Sequence, residues 1–133
     1  MNRAILSSAI EEAVSAVGYN FAEYPERLYP CIVNVYPTVT LIEPEFRRME
    51  GRKHGKITYF VTLHLDKIGV KLSFEERKRA LAEMEQEMVD IFLRLSNHQR
   101  IASVEELFIE QPTLTDEHGA LSLVATAEVA TIF

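Results

Sequence analysis

Residues 57–66, Ile-Thr-Tyr-Phe-Val-Thr-Leu-His-Leu-Asp, carry the plainest structural signal in the chain. Ile57, Tyr59, Val61, Leu63 and Leu65 alternate with Thr58, Thr62, His64 and Asp66, and only Phe60 interrupts the polar set. Successive side chains on a strand point to opposite faces, so the pattern predicts a strand with one apolar face and one exposed polar face. Shortly after it, Ser73 is followed at three residues' distance by Glu76, the pairing in which side chain and backbone satisfy each other at a helix start. Leu81, Met84, Met88, Ile91 and Leu95 then recur at spacings of three and four, leaving Arg77, Lys78, Glu85, Glu87 and Asp90 for the opposite face. This predicts an amphipathic helix over residues 73–96, with Met84 and Met88 filling core rather than forming an adaptable binding surface.

Toward the N-terminus, Leu6, Ile10, Ala13, Val14 and Val17 keep helical spacing up to Gly18, which predicts a short helix over 3–17 with a glycine stop. Tyr24-Pro25, Tyr29-Pro30 and Tyr36-Pro37 bias the following stretch toward extended backbone, so residues 19–30 read as an extended lead-in. Cys31–Ile42 is rich in β-branched residues and reads as a strand, broken midway by Pro37 and therefore bent, bulged or at an edge. Glu43–Lys56 is polar, with Arg47, Arg48, Arg52, Lys53 and Lys56 against three acids, and reads as a long hairpin connection. Val104–Glu110 and Ala120–Ile132 read as closing strands around a turn at Gln111–Gly119, which contains Pro112, Asp116 and Gly119. The predicted order is helix, strand, strand, helix, strand, strand. It implies an α+β fold with a mostly antiparallel sheet, helices on one face, and a single domain spanning residues 1–133.

Composition agrees with a globular chain: 47% hydrophobic residues, 26% charged, 5 Gly and 5 Pro exclude disorder and low complexity. Over 133 residues, 20 acids against 14 bases give a net charge of -6. That charge is unevenly placed. Residues 1–100 hold every Lys and Arg and are balanced, while the remainder carries Glu105, Glu106, Glu110, Asp116, Glu117 and Glu128 with no base. A lone cysteine, Cys31, forms no intramolecular disulfide and reads as a small buried apolar residue. Acids interrupt the N-terminal apolar residues too early for a signal peptide, and no stretch approaches the roughly 18–20 apolar residues of a membrane span. These features predict a cytoplasmic protein.

The sequence contains no Gly-rich phosphate loop, no nucleophile-elbow serine and no paired-histidine zinc helix. His64 and Asp66 share one strand face at a spacing that suits two metal ligands, but no third ligand accompanies them, and an exposed polar face is the expectation. His54, His98 and His118 fall in predicted loops. The one Glu-x-Lys, at Glu76-Arg77-Lys78, opens a helix and does not suit a nuclease hairpin. Acids dilute the basic stretch at 47–56, so it points to a protein contact or a solvated loop rather than to nucleic acid. No catalytic residue, cofactor or metal is expected.

The N-terminal helix ending in Gly18, the run Tyr29-Pro30-Cys31-Ile32-Val33-Asn34-Val35, the strand Ile57–Leu65, the helix from Ser73 and the apolar end Val129–Phe133 together resemble the tail-terminator and minor-tail-protein family of tailed bacteriophages. The resemblance rests on element order and size. It implies a non-enzymatic structural protein, usually a hexameric ring, that caps the tail tube and meets the head-side connector. The virion tail, or the bacterial cytoplasm during expression from a prophage, is then the expected location. Relatives use a long hairpin loop for subunit or tube contacts, and its counterpart by position is Glu43–Lys56. Arg47, Arg48, Arg52, Lys53 and Lys56 on one patch, and Glu105, Glu106 and Glu110 on another, are the candidate contact residues, since a head-to-tail ring needs two unlike surfaces. A head-completion or neck protein is an alternative assembly reading. A small ligand-binding or enzymatic α+β domain is a second alternative, with Tyr24, Tyr29, Tyr36 and His64 near a pocket between sheet and helix.

Overall fold

The structure, a computed structural model, describes residues 1–24, 37–68, 72–110, 113–115 and 120–133. Among these residues, two helices and seven strands follow in the order α1 (Asn2–Ala16), β1 (Asn20–Tyr24), β2 (Thr38–Ile42), β3 (Glu45–Gly51), β4 (Gly55–Ile68), α2 (Phe74–Ser96), β5 (Ile101–Ile109), β6 (Thr113–Thr115) and β7 (Ala120–Ile132). The class is α+β, as the periodicities imply.

All strands join one sheet whose main order is β1-β2-β4-β7-β5, with β3 paired to β4 and β6 to β7. Among the described residues, only the β1–β2 pair is parallel. The centre is the long antiparallel pair β4–β7, in register from Lys56↔Ile132 to Ile68↔Ala120. Directly opposed residues share a face, so Val61, Leu63 and Leu65 lie with Ala127, Ala125 and Leu123. That face forms the core with Leu6, Ile10 and Val14 of α1 and Met84, Met88, Ile91 and Leu95 of α2, so both helices pack on it.

The element ends follow from local chemistry. Gly18 takes a left-handed backbone, φ +86°, just past α1, where a side chain would be strained. At α2, the Glu76 amide donates to Ser73 Oγ at 3.2 Å and the Ser73 amide to Glu76 Oε1 at 3.3 Å, closing the reciprocal cap. These bonds hold the Glu76 carboxyl below its ordinary value. Asn2 ties the start of α1 to the sheet by donating to Thr131 Oγ1 at 2.8 Å, and that hydroxyl donates to the Ile57 carbonyl at 3.0 Å. At the other end of β4, Lys67 pairs with Glu87 of α2 at 3.0 Å and lies over the Tyr19 ring. Burial, and then Glu87, push the Tyr19 phenol up.

Four expectations need correction. Residues 43–56 are not a loop: 45–51 form β3, whose seven residues are all exposed and so lack the alternation that marks a half-buried strand. The lead-in contains a paired strand, β1, which leaves β2 between β1 and β4 and not at an edge. The polar face of β4 is not exposed, since Thr58, His64 and Asp66 are buried together with Thr38, Thr40 and Ser122 of the flanking strands. The turn at 111–119 contains β6. Residues 31–36 of the predicted Cys31–Ile42 strand, Cys31, Tyr29, Tyr36, Asp116 and His118 lie outside the described residues.

Candidate functional site

The hairpin β3–β4 is closed by Gly51 and Gly55, which face each other across the turn Arg52-Lys53-His54. Gly51 has φ +105°, and a Cβ there would collide with the His54 carbonyl. A Cβ on Gly55 would collide with the Glu50 carbonyl. Neither glycine has room for a side chain, so the turn is tight and presents Arg52 and Lys53 at an exposed tip. Neither forms an ion pair among the described residues.

Lower on the hairpin, the cations are already engaged. A register shift between Phe46 and Arg48 makes Arg47 a bulge residue, with its guanidinium over the Phe60 ring at 4.6 Å and a weak pair to Glu45 at 3.6 Å. Arg48 bonds Glu128 at 3.0 Å and Glu50 at 3.4 Å. The Glu128 contact, more than that to Glu50, raises the Arg48 guanidinium further above its ordinary value. Arg48, Lys56, Glu105 and Glu128 line one polar recess of about 240 Å³. Two predicted cations and one predicted acid are thus neighbours within one subunit.

β5 forms the opposite border. Glu105 faces Glu128 across the ladder, and the register then slips between Glu105 and Phe108. Glu106 sits in that irregularity with φ +54°, which bends the strand and displays Glu105, Glu106 and Phe108 outward. Glu110 follows the strand, anchored by its amide to the Val124 carbonyl at 2.9 Å. None of Glu105, Glu106 and Glu110 forms an ion pair among the described residues.

Ladder registers place β3 and β5 at the same level. Met49 pairs with Ile57, Ile57 with Thr131, and Thr131 with Ile101, so one row crosses β3, β4, β7 and β5 in turn. β3 and β5 are therefore the two borders of a four-stranded end of the sheet. Neither has a further strand outside it among the described residues.

A buried polar row crosses the other end, on the face away from the helices. Thr38, Asp66 and Ser122 oppose one another in β2, β4 and β7, and Thr40 opposes His64 one step along. Asp66 is 1% exposed, and among the described residues neither carboxyl oxygen has a hydrogen-bond partner within normal geometry. Burial lifts its pKa to about 6, and the Ser122 hydroxyl across the ladder offsets only part of the rise. The Thr40 hydroxyl is also buried without a partner among the described residues. In the sequence, His64 and Asp66 read as an exposed polar face, which the burial of this row overturns. The available signal was the matching alternation of Thr38 and Thr40 with His64 and Asp66 in a neighbouring strand.

Two further features complete the surface. No cluster of three or more His, Cys, Asp or Glu residues suited to a metal occurs among the described residues, and no described helix is long and apolar enough to cross a membrane. An open cleft of about 910 Å³ lies between α1 and the β1–β2 border, and His64 does not line it. No protein-family model matches this chain, and no curated protein matches it.

Proposed function

We propose that this chain is a non-enzymatic structural subunit that joins copies of itself head to tail through the β3 and β5 edges, closing a ring of the kind that caps a phage tail tube. The observation that carries the reading is the presence of unlike borders on one four-stranded row: β3 with its cationic tip, and β5 with the residue after it, which carry three glutamates without an ion pair among the described residues. Free strand edges recruit other strands, and a contact between two unlike edges builds rings or filaments rather than closed dimers. Charge selects the pairing. Two β5 edges would set Glu105 and Glu106 against their own copies, two hairpin tips would set Arg52 and Lys53 against theirs, and only the mixed contact is attractive.

The hairpin occupies the position of the loop that the resembled family uses for contacts, which supports extending the reading to a tail terminator with a tail-tube protein and a head-side connector as partners. A neck-type role uses the same ring. The virion tail, or the bacterial cytoplasm during prophage expression, is the corresponding location. Size-exclusion chromatography with light scattering, alone and with a tail-tube protein, tests the proposal. A ring-sized oligomer in either condition is expected. A monomer in both, at concentrations well above those of assembly, overturns it.

A further inference from the structure

β3 and β5 each carry a register shift, and the two shifts lie between the same two rows of the sheet. Phe46, Tyr59, Val129 and Val104 form one row; Met49, Ile57, Thr131 and Ile101 form the other. Between these rows β3 inserts Arg47 as an extra residue, and β5 inserts Ala102. An extra residue re-aims its neighbours, so side chains three apart come to share a face. Phe46 with Met49, and Val104 with Ile101, therefore stand on the face that carries the helices.

The two borders fill that face differently. No β3 residue belongs to the core, and Phe46 and Met49 are each 56% exposed. The Phe46 ring stands edge-on to Tyr59 with centroids 6.3 Å apart, which fixes its direction. At β5, Ile101 is buried and Val104 partly buried, with α2 packed on the strand. Glu87 of α2 turns to Lys67 and Tyr19, on the α1 side. At about 100° per residue, Val89 and Leu93 fall across the buried stripe from Glu87, on the flank toward β5. Leu93 is 55% exposed there. One border thus ends in an apolar knob and the other in an apolar ledge.

We infer that the knob of one copy, Phe46 and Met49, packs on the ledge of the next, Val89, Leu93 and Val104, as the apolar anchor of the head-to-tail contact. A second copy of this chain fits because β3, β4, β7 and β5 alternate in direction, so the two borders run oppositely at one level. A neighbour set beside β5 without sliding continues both rows, bringing Phe46 next to Val104 and Met49 next to Ile101. Arg47, whose pair with Glu45 is weak, then stands near Glu105. Glu45 falls in the Glu105 row as well, so apolar fit and not charge sets the register. This anchor deepens the ring proposal and rests on it: charge chooses which borders meet, and the knob supplies the hold. Desolvated aromatic and Met side chains inside a charged rim dominate contacts of this kind.

Two variants with opposite defects test the anchor. Phe46→Ser with Met49→Ser removes the knob, and Leu93→Gln makes the ledge polar. All three side chains are exposed in one subunit, so unchanged thermal unfolding verifies the fold. Light scattering, under the condition in which wild type assembles, is expected to show each variant weakened about tenfold at low and high salt alike, because apolar burial is not screened. Mixed at a concentration where each alone is monomeric, the two variants are expected to stop at a dimer. One intact knob then meets one intact ledge, and neither outer end binds further. Undiminished association of either variant, or a mixture that stays monomeric or regrows full rings, overturns the anchor and leaves the ring reading standing. A wild type that is monomeric both alone and with a tail-tube protein overturns both.

Discussion

Arg48 on the hairpin reaches across β4 to Glu128 on β7 and forms a 3.0 Å ion pair, linking the base-rich segment to the acidic end of the chain inside one molecule. The two charge-bearing regions are therefore not both free for a neighbour. About half of the Arg48 side chain is exposed, so solvent screens the pair. A double-mutant cycle of Arg48→Ala and Glu128→Gln, read by urea unfolding, is expected to give a small coupling that fades with salt. A larger, salt-insensitive coupling would show the pair to be shielded from solvent.

The hairpin tip behaves differently, because Arg52 and Lys53 carry no internal partner among the described residues. Reversing both to Glu is expected to weaken self-association or tube binding at low salt and to leave unfolding stability within about 0.5 kcal/mol of wild type. Light scattering and sedimentation at two ionic strengths measure the first effect. Undiminished association of the reversed variant removes the tip from the interface.

Asp66 gives the fold a pH dependence of definite sign. Its carboxyl titrates at about 6 in the folded chain, against an ordinary value of 3.8, so the native state holds the proton more tightly than the unfolded state. The stabilisation is complete below the ordinary value and is lost as pH rises through about 6, a change on the order of 3 kcal/mol. Asp66→Asn stays neutral throughout. The variant is expected to be more stable than wild type near about pH 8 and to approach it near about pH 4, read by denaturant unfolding across that range. Parallel pH profiles for the two proteins would show that the carboxyl is solvated.

The elements legible in the sequence are those that hide one side and show the other. The alternation of Ile57–Leu65 and the three-four spacing of Leu81–Leu95 record a single buried face, and β4 and α2 stand where those patterns lie. The β3 strand is exposed on both faces, so its composition imitates a loop, and only pairing with residues 55–60 makes it a strand. His64 and Asp66 fail in the opposite sense. Their polarity signals solvent, whereas β2 and β7 flank them on both sides and the row is buried. The Arg48–Glu128 pair joins residues 80 apart in sequence, a distance at which charge counting conveys no contact. The candidate residues were thus legible as two patches of opposite sign, but not the partial cancellation between them.

Core packing distinguishes two positions on α2 that share the same periodic stripe. Ile91 is fully buried, whereas Leu81 is only partly buried against the core. Ile91→Ala is expected to cost about 2–5 kcal/mol, and Leu81→Ala about 1 kcal/mol, because a partly exposed site loses less apolar burial and leaves no closed cavity. Thermal and urea unfolding of the two variants check the ranking; equal losses would place Leu81 as deep as Ile91.

Gly55 offers a way to separate folding of the core from formation of the assembly edge. A Cβ at this position would run into the Glu50 carbonyl and approach Gly51 Cα at 2.9 Å, so Gly55→Ala forces the paired ends of the hairpin apart. The obstruction is backbone and cannot rotate away. The damage is nevertheless local, since β3 contributes none of the buried core and β4 stays clamped by β7 along its length. Gly55→Ala is therefore expected to cost about 1–3 kcal/mol, raising amide exchange in β3 while leaving the α2 core protected. If β3 is an assembly edge, the same variant weakens self-association by more than Arg52→Glu alone, because it displaces the backbone donors and acceptors as well as the charges. Hydrogen exchange and light scattering on one sample read both effects. Full association with an opened hairpin would show that copies meet through some other surface.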